Sequence, residues 1–394
     1  MGGERAGPPL ALYLHVPWCL RKCPYCDFHS RELRASIPEG PYVDALLQDL
    51  ELDLARLDGT RPLISVFIGG GTPSLLSGAA VARLLEGIRA LADPGPEAEI
   101  TLEANPGMAD ARRFAAYREA GVNRLSIGAQ SFSADHLARL GRIHGPAEVN
   151  AAVAAARSAG FANLNLDLMY GLPGQTGAQA RADLEGALAL EPEHLSYYQL
   201  TLGPGTAYWS SPPPLPDDDL AADMQLRGAE LLAGAGYAHY EVSAYARPGR
   251  SCRHNLNYWT FGDYLGIGAA AHGKLTRALP RRVERYAKRR LPGAYLDPAR
   301  RGRLTASRRY LSDSDLVLEF AMNALRLRDG FDRALFEQRT GLPFERIAGV
   351  VEQARDDGLL EPTGELIRPT ELGWRFLNDL IVRFVKDRTA RTSY

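Results

Sequence analysis

The sequence predicts an α/β protein in which a partial, TIM-like (β/α)6 barrel precedes a small winged-helix-like C-terminal domain. Three observations lead to this prediction. Apolar strands alternate with amphipathic helices over residues 10–245, polar motifs follow the ends of nearly every strand, and the C-terminal residues combine helices with a short hairpin. Right-handed crossovers make such strands parallel, so their carboxyl ends meet at one rim, where the polar motifs are expected to form one site.

The six predicted strands are short apolar runs bounded by turn residues. They cover residues 10–16, 63–68, 100–104, 124–128, 164–169 and 194–200. The segments between them repeat apolar residues at helical spacing, as in residues 42–57. The other predicted helices cover residues 78–92, 110–120, 146–159 and 177–190.

The chain divides into three predicted parts. Residues 1–245 form the barrel, and residues 246–309 contain a histidine–aromatic motif followed by a strongly basic stretch, 277–309, which predicts a surface excursion or linker. Residues 310–394 form the C-terminal domain. Its predicted elements are helices over 314–325, 333–338, 344–356 and 370–386, with a hairpin over 359–368 before the last helix.

Composition restricts the possible partners and location. The 394 residues carry a net charge of −1, which argues against a general attraction to nucleic acid or to anionic membranes. No apolar run approaches the ~18 residues needed to span a bilayer, and the first residues lack the regions of a signal peptide. Only four cysteines occur, and three are clustered, which predicts a reducing, cytoplasmic setting.

Cys19, Cys23 and Cys26 form a C-x3-C-x2-C triplet directly after the first predicted strand. A structural zinc site needs four ligands, which this triplet cannot supply alone. Three thiolates suit an iron–sulfur cluster in which one iron lacks a protein ligand. That iron can bind a small molecule, as catalytic metal sites keep one position open. Structural or zinc-binding thiols are the alternative.

Other polar motifs follow the strands. Gly69-Gly70-Gly71-Thr72-Pro73 is a turn whose glycines allow a close approach of backbone to ligand, although a plain tight turn has the same pattern. Glu103, Gln130 and Asp167 end three successive strands, where a lone polar group is costly unless it is paired. Each alone fits a structural role, but three in register indicate a ligand site. Arg142 could hold a carboxylate or be a solvated cation.

The segment Tyr13-Leu-His-Val-Pro-Trp-Cys19, the triplet and the glycine turn together resemble the radical S-adenosylmethionine (SAM) superfamily. The resemblance implies that Cys19, Cys23 and Cys26 hold a 4Fe-4S cluster, that SAM chelates the fourth iron, and that an electron donor serves the cluster. No side chain is assigned a catalytic role. The residues implied to line the SAM site are Tyr13, Tyr25, Gly70, Gly71, Thr72, Glu103, Gln130, Arg142 and Asp167.

Within that superfamily the chain resembles the HemN-like family, which contains oxygen-independent coproporphyrinogen III dehydrogenases and related heme chaperones. The likeness covers nearly the whole chain. The dehydrogenase pattern has a further cysteine two residues after the triplet, where this chain has Phe28, and a longer segment before the position of Tyr13. Both differences favour a heme chaperone, with oxidative decarboxylation of coproporphyrinogen III as the alternative. Whether the chain is an enzyme stays open.

The motif His254-Asn-Leu-Asn-Tyr258-Trp259 resembles a heme-binding element of the chaperones. A neutral imidazole is a good axial ligand for heme iron, and Tyr258 and Trp259 could lie against a porphyrin. Ordinary packing is the alternative for all three, and Cys252 is a weaker candidate ligand. The resemblance implies heme and a heme-accepting protein as partners. The basic stretch either is a solvated surface or pairs with heme propionates or an acidic partner.

Overall fold

A computed structural model describes residues 7–108, 110–278, 281–300 and 302–385. Its strands are β1 (Leu10–Val16), β2 (Trp18–Cys19), β3 (Arg31–Glu32), β4 (Leu63–Gly70), β5 (Pro94–Ala104), β6 (Arg124–Gln130), β7 (Leu164–Tyr170), β8 (His194–Gln199), β9 (Ala238–Glu241), β10 (Ala244–Ala246), β11 (Asp263–Ile267), β12 (His272–Arg277), β13 (Arg282–Lys288), β14 (Thr305–Tyr310), β15 (Phe331–Asp332) and β16 (Leu366–Ile367).

The helices are α1 (Glu39–Leu54), α2 (Gly78–Leu91), α3 (Ala111–Ala120), α4 (Ala134–Arg139), α5 (Pro146–Ser158), α6 (Gly177–Leu188), α7 (Ala207–Ser210), α8 (Asp218–Gly234), α9 (Arg253–Trp259), α10 (Pro292–Leu296), α11 (Asp313–Ala324), α12 (Arg333–Thr340), α13 (Glu345–Asp356), α14 (Glu371–Arg375) and α15 (Leu377–Val382). Polar caps set several of their starts. Ser77 Oγ accepts the amide of Ala80 at 3.1 Å before α2, and Asp110 accepts the amide of Arg113 at 2.7 Å before α3.

One large sheet runs in the order β14-β13-β12-β11-β1-β4-β5-β6-β7-β8-β10-β9. All pairings from β11 through β8 are parallel. Within the described residues the sheet ends at β14 on one side and β9 on the other, so the barrel is open. The predicted α/β class and the six predicted strand–helix units are confirmed.

Alternate side chains of the parallel strands pack outward against the helices. Leu12, Val66, Leu102, Leu125 and Leu166 are fully buried and belong to one apolar core with side chains from α1, α2, α3, α5 and α6. Burial of a leucine side chain contributes about 1.5–3 kcal/mol. This outer core fixes the strands, and their other faces point toward the inside of the barrel.

The basic stretch is not a linker, contrary to the prediction. Its residues form β13 and β14, which extend the sheet next to β12. Two cations of β13 form salt bridges. Lys288 Nζ lies 2.6 Å from Asp49 and 2.8 Å from Asp53, and Arg285 lies 2.7 Å from Glu319. A search for apolar periodicity misses both strands, because β13 buries Lys288 as an ion pair and β14 exposes most of its side chains.

The C-terminal residues form α11 to α15 around a second apolar core. The predicted hairpin over 359–368 differs in detail, because β16 pairs antiparallel with β15, which precedes α12, and Leu360 bridges to Pro369. The predicted last helix is also wrong in its continuity. It breaks at Phe376, where φ is −112° and ψ is 40°, into α14 and α15, and residue 386 lies outside the described residues.

Candidate cofactor site

A cavity of about 330 Å³ opens at the carboxyl ends of the parallel strands. We call it the cofactor cavity. All three triplet cysteines line it, as do eight of the nine residues predicted for the SAM site. The lining residues among those predicted are Cys19, Cys23, Cys26, Tyr25, Gly70, Gly71, Thr72, Glu103, Gln130, Arg142 and Asp167.

The glycine turn holds the start of the cysteine segment in place. The amide of Gly71 donates to the carbonyl of Val16 at 2.7 Å, and the amide of Thr72 donates to the carbonyl of Trp18 at 2.8 Å. A Cβ at Gly71 would lie only 2.5 Å from the Trp18 oxygen. Glycine is therefore required at this position, because neither backbone can move aside cheaply.

The three thiols of the triplet are unpaired. Within the described part of the chain, no three His, Cys, Asp or Glu side chains converge on one ion-sized point. A cubane cluster takes each thiolate on a different iron, so the three thiols need not converge on one point. Arg142 Nη1 donates to Cys23 Sγ at 3.7 Å, so a guanidinium group lies beside this thiol. The donor set therefore fits an iron–sulfur cluster.

Glu103 is the acidic group at the end of β5. Its Oε2 accepts the amide of Gly70 at 3.0 Å, which brings the carboxylate to the glycine turn. Burial, and then the nearby charge of Asp167, raise the pKa of Glu103 to about 8. Burial disfavours the ionised form of this carboxyl group. A cationic partner, such as the ammonium group of an amino acid, would stabilise that form.

The other predicted strand-end residues are held by hydrogen bonds. Tyr198 donates to Gln130 Oε1 at 2.9 Å, and Gln130 adopts a positive φ of 69°. Asp167 accepts from Ser126 Oγ at 3.2 Å and from Asn165 Nδ2 at 2.8 Å. Such contacts position the polar groups toward the cavity before any ligand arrives.

Arg142 is fixed by the strand beside it. Its Nη2 donates to the carbonyl of Gly128 at 2.8 Å, while its buried Nε has no partner among the described residues. A buried donor without a partner is costly, so a carboxylate ligand would gain a charge-assisted bond here. The predicted alternative, a solvated cation, does not fit this burial.

Tyr13 is the predicted SAM-site residue that the structure does not place on the cofactor cavity. Its hydroxyl lies 2.9 Å from His15 Nδ1. Its ring lies 6.3 Å from the rings of both Phe67 and His254, measured between centroids. Tyr13 therefore lies deeper inside the barrel, between the cavity and the histidine–aromatic motif.

His254 lies near the opposite end of the barrel from the cavity. Its Nδ1 is 2.9 Å from Ser65 Oγ, near the amino end of β4, whereas Gly70 ends that strand at the cavity. Five residues of extended chain span roughly 17 Å. The structure therefore does not bring His254 together with the triplet.

The His254 imidazole is buried, with 2% of the residue exposed, and stacks on Phe67 at 4.9 Å. Burial, and then the charge of Arg124, lower the pKa of His254 to about 3, so the ring is neutral at pH 7. Its Nε2 has no hydrogen-bond partner among the described residues. A neutral imidazole with one nitrogen free of hydrogen bonds can act as a ligand of a metal ion such as iron.

Tyr258 and Trp259 lie on the same helix, α9. The Tyr258 ring meets the His254 ring edge-on at 4.9 Å. The Trp259 ring is covered by the guanidinium of Arg326 at 4.3 Å, and Arg339 donates to the carbonyl of Thr260 at 3.0 Å. Helix α9 is therefore packed between the barrel interior and the C-terminal residues.

The sequence analysis missed several residues that line the cofactor cavity, among them Ser126, Met169 and Tyr198. A signal for the hydroxyl groups was present. Polar residues alternate with apolar ones along the strands, as in Arg124-Leu-Ser-Ile and His194-Leu-Ser-Tyr. That alternation indicates a polar barrel interior, of which the predicted strand-end residues are only the last layer.

The fold and the cavity agree with the matches to known families. Residues 13–185 match the family model of the radical SAM superfamily, and residues 311–376 match that of the HemN C-terminal domain. The molecule is thus a radical SAM protein with a HemN-type C-terminal domain. Membership of this superfamily implies a 4Fe-4S cluster and SAM.

Full-length relatives define the group more narrowly. The chain is 48% identical to the heme chaperone HemW of Escherichia coli and 46% identical to that of Haemophilus influenzae, covering 96% of this chain and 99% of each relative. The chain belongs to the HemW family. The solved structure of coproporphyrinogen III oxidase (HemN) from Escherichia coli superposes with a TM-score of 0.80 at 24% identity, covering 96% of this chain and 91% of that one, and shows the same fold.

In residues 7–108, 110–278, 281–300 and 302–385, no helix has the length and apolar composition needed to cross a bilayer.

Proposed function

We propose that the protein is a heme chaperone that binds heme and passes it to an acceptor protein, and that it carries a 4Fe-4S cluster with exchangeable SAM. The observation that carries the proposal is the full-length similarity to heme chaperones, together with the neutral His254 imidazole whose Nε2 is unpaired. We further propose that an electron donor reduces the cluster and that the protein is located in the cytoplasm.

In this proposal Cys19, Cys23 and Cys26 hold the cluster. When bound, the cluster and SAM supply one-electron reductive cleavage of the sulfonium. Glu103 takes the amino group of SAM, since its carboxyl group is buried and held against the glycine turn. Arg142 takes the carboxylate through its unpaired Nε. The remaining predicted residues, Tyr25, Gly70, Gly71, Thr72, Gln130 and Asp167, enclose the ligand and exclude water.

For heme, we propose His254 as the axial ligand, with Tyr258 and Trp259 against the porphyrin. The imidazole is already in the neutral form that binds iron. Since only 2% of His254 is exposed, α9 has to move away from β4 before iron reaches Nε2. The contacts of Arg326 and Arg339 with α9 oppose that movement.

A hemin titration tests this proposal. The full-length protein is reconstituted anaerobically and titrated with hemin while the Soret band is followed. His254→Ala is expected to weaken hemin binding by about tenfold or more, since it removes the iron ligand. His272→Ala is the matched control, because His272 is an exposed histidine outside the motif. Equal affinities of wild type and His254→Ala would refute the ligand assignment.

The alternative, oxidative decarboxylation of coproporphyrinogen III, is separated by a second assay. The reconstituted protein is incubated anaerobically with this substrate, SAM and a reductant. Phe28 occupies the position of the further cysteine of the dehydrogenase pattern, so we expect no vinyl product. Formation of vinyl groups would establish the dehydrogenase instead.

A further inference from the structure

The inside of the barrel is polar from the cofactor cavity to helix α9. Inward-facing residues on neighbouring strands are buried and charged or polar, where a barrel core is usually filled by branched apolar side chains. They include Glu99, Arg124, Ser126, Asn165 and His194, and they lead to the partly exposed Asp167 at the cavity. Buried polar groups at this density are stable only as a connected network.

The part of this network nearest the cofactor cavity begins at Asp167, which lines that cavity. Asn165 Nδ2 donates to Asp167 Oδ1 at 2.8 Å and to Ser126 Oγ at 2.7 Å. Asn165 Oδ1 lies 2.6 Å from His194 Nδ1. The network therefore passes from the cavity to His194 through a single amide group.

The remaining part of the network leads from His194 to α9. The Tyr240 hydroxyl lies 2.8 Å from His194 Nε2 and accepts the amide of Cys252 at 3.2 Å. Glu99 Oε1 accepts from the amide of His254 at 3.3 Å and from Cys252 Sγ at 3.4 Å. The first turn of α9, which carries the proposed heme ligand, is therefore attached to the same network.

The donors and acceptors around His194 in this network can be assigned in one way only. Burial lowers the pKa of His194 well below its usual value, so the ring is neutral, with one donor and one acceptor nitrogen. Its acceptor nitrogen orients the Tyr240 hydroxyl, and its N–H is directed at the Asn165 oxygen. A change at either end therefore has to be accommodated by every member between them.

We propose that His194 and Tyr240 are positioning residues that couple the cofactor cavity to α9. Occupation of the cavity at Asp167 and Ser126 then alters how firmly the first turn of α9 is held. This inference rests on the proposed function, since heme binding requires α9 to move. Linkage makes the effect reciprocal: SAM changes the affinity for heme by the same factor by which heme changes the affinity for SAM.

Two measurements on the cluster-reconstituted full chain test this coupling, without reductant so that SAM stays intact. The first is the hemin affinity with and without saturating SAM, which we expect to differ by about fivefold or more in wild type. The second is the hydrogen–deuterium exchange of the α9 amides with and without SAM, which needs no heme. We expect SAM to change their exchange rates by a similar factor.

Tyr240→Phe removes the hydroxyl that joins His194 to Cys252 and keeps the ring. We expect it to reduce both effects of SAM to less than about twofold. Tyr237→Phe is the matched control, because the Tyr237 hydroxyl donates to the carbonyl of Pro192, outside this network, and it should behave as wild type. A merely structural role of Tyr240 would change stability without removing the dependence on SAM.

The outcomes separate the two proposals. If SAM alters neither hemin affinity nor α9 exchange in wild type, or if Tyr240→Phe retains both effects, the coupling is refuted. If hemin binds equally well to His254→Ala while SAM still changes α9 exchange in a Tyr240-dependent way, the coupling stands and the heme-ligand assignment fails.

Discussion

The carboxylate of Glu103 accepts the backbone amide of Gly70 at 3.0 Å, which joins the end of β5 to the glycine turn after β4. The two groups lie beside the triplet cysteines on one cavity. The Glu103 carboxyl group lines this cavity, where a ligand can reach it. This contact is the structural basis for assigning the amino group of SAM to Glu103.

Glu103→Gln should weaken SAM binding by about tenfold or more, because a hydrogen bond to a charged group contributes about 1.5–3 kcal/mol. The measurement is equilibrium binding of SAM to the reconstituted protein. Glu97→Gln is the control, since Glu97 is an exposed residue on the same strand. Unchanged SAM affinity in Glu103→Gln would remove Glu103 from the site.

Gly71→Ala should disturb the cysteine segment. The new Cβ would lie 2.5 Å from the Trp18 carbonyl oxygen, and overpacking of this kind costs about 1–3 kcal/mol. We expect lower iron content after reconstitution. In Gly40→Ala, the control, the new Cβ meets nothing within 4 Å. A normal iron content in Gly71→Ala would show that the turn does not position the triplet.

Cys19→Ser should lose the visible absorbance and most of the iron of the reconstituted protein, because the cluster keeps only two thiolate ligands. Cys252→Ser provides the comparison. Cys252 is buried near Glu99, away from the cofactor cavity, and should not affect the iron content. An unchanged spectrum in Cys19→Ser would contradict the assignment of the triplet to a cluster.

Stability should depend on pH through His254. The folded protein lowers its pKa to about 3, whereas an unfolded histidine titrates near pH 6.5, so the unfolded chain binds more protons between these values. The free energy of unfolding therefore falls as the pH falls from about 6.5 toward 3, by up to about 1.4 kcal/mol per pH unit from this group.

Urea midpoints of the cluster-free protein at pH 7, 6 and 5 measure this effect. Wild type should lose more stability over that range than His254→Asn, which has no titrating imidazole. The His272→Ala variant should keep the part of this loss that His254 causes, because it removes only the His272 imidazole, whose pKa burial also lowers. If wild type and His254→Asn change in parallel, His254 is not held neutral by burial.

The barrel was predictable because its outward-facing strand residues, such as Leu102 and Leu166, give clear apolar runs separated by amphipathic helices. That Glu103, Gln130 and Asp167 would meet at one cavity was predictable because they lie at or near the ends of those apolar runs. The placement of Tyr13 was not, since a residue within a strand can face the cavity or lie deeper, and Tyr13 lies beside His15 and Phe67.

The partners of the buried ion pairs and of the polar residues inside the barrel could not be predicted from the sequence. Lys288 appears in a basic stretch, and only the fold shows that it lies between Asp49 and Asp53, which are more than two hundred positions away. The contact of His194 with Tyr240 likewise joins β8 to β9. Such pairs depend on which strands become neighbours, which residue patterns do not state.

The most direct test of the cofactor site is the electron paramagnetic resonance spectrum of the reduced, reconstituted protein before and after SAM is added. If three thiolates leave one iron open, SAM should change the signal of a 4Fe-4S cluster, and Glu103→Gln should require more SAM for the same change. A signal that is insensitive to SAM, or a preparation that holds zinc in place of iron at the triplet, would contradict this assignment.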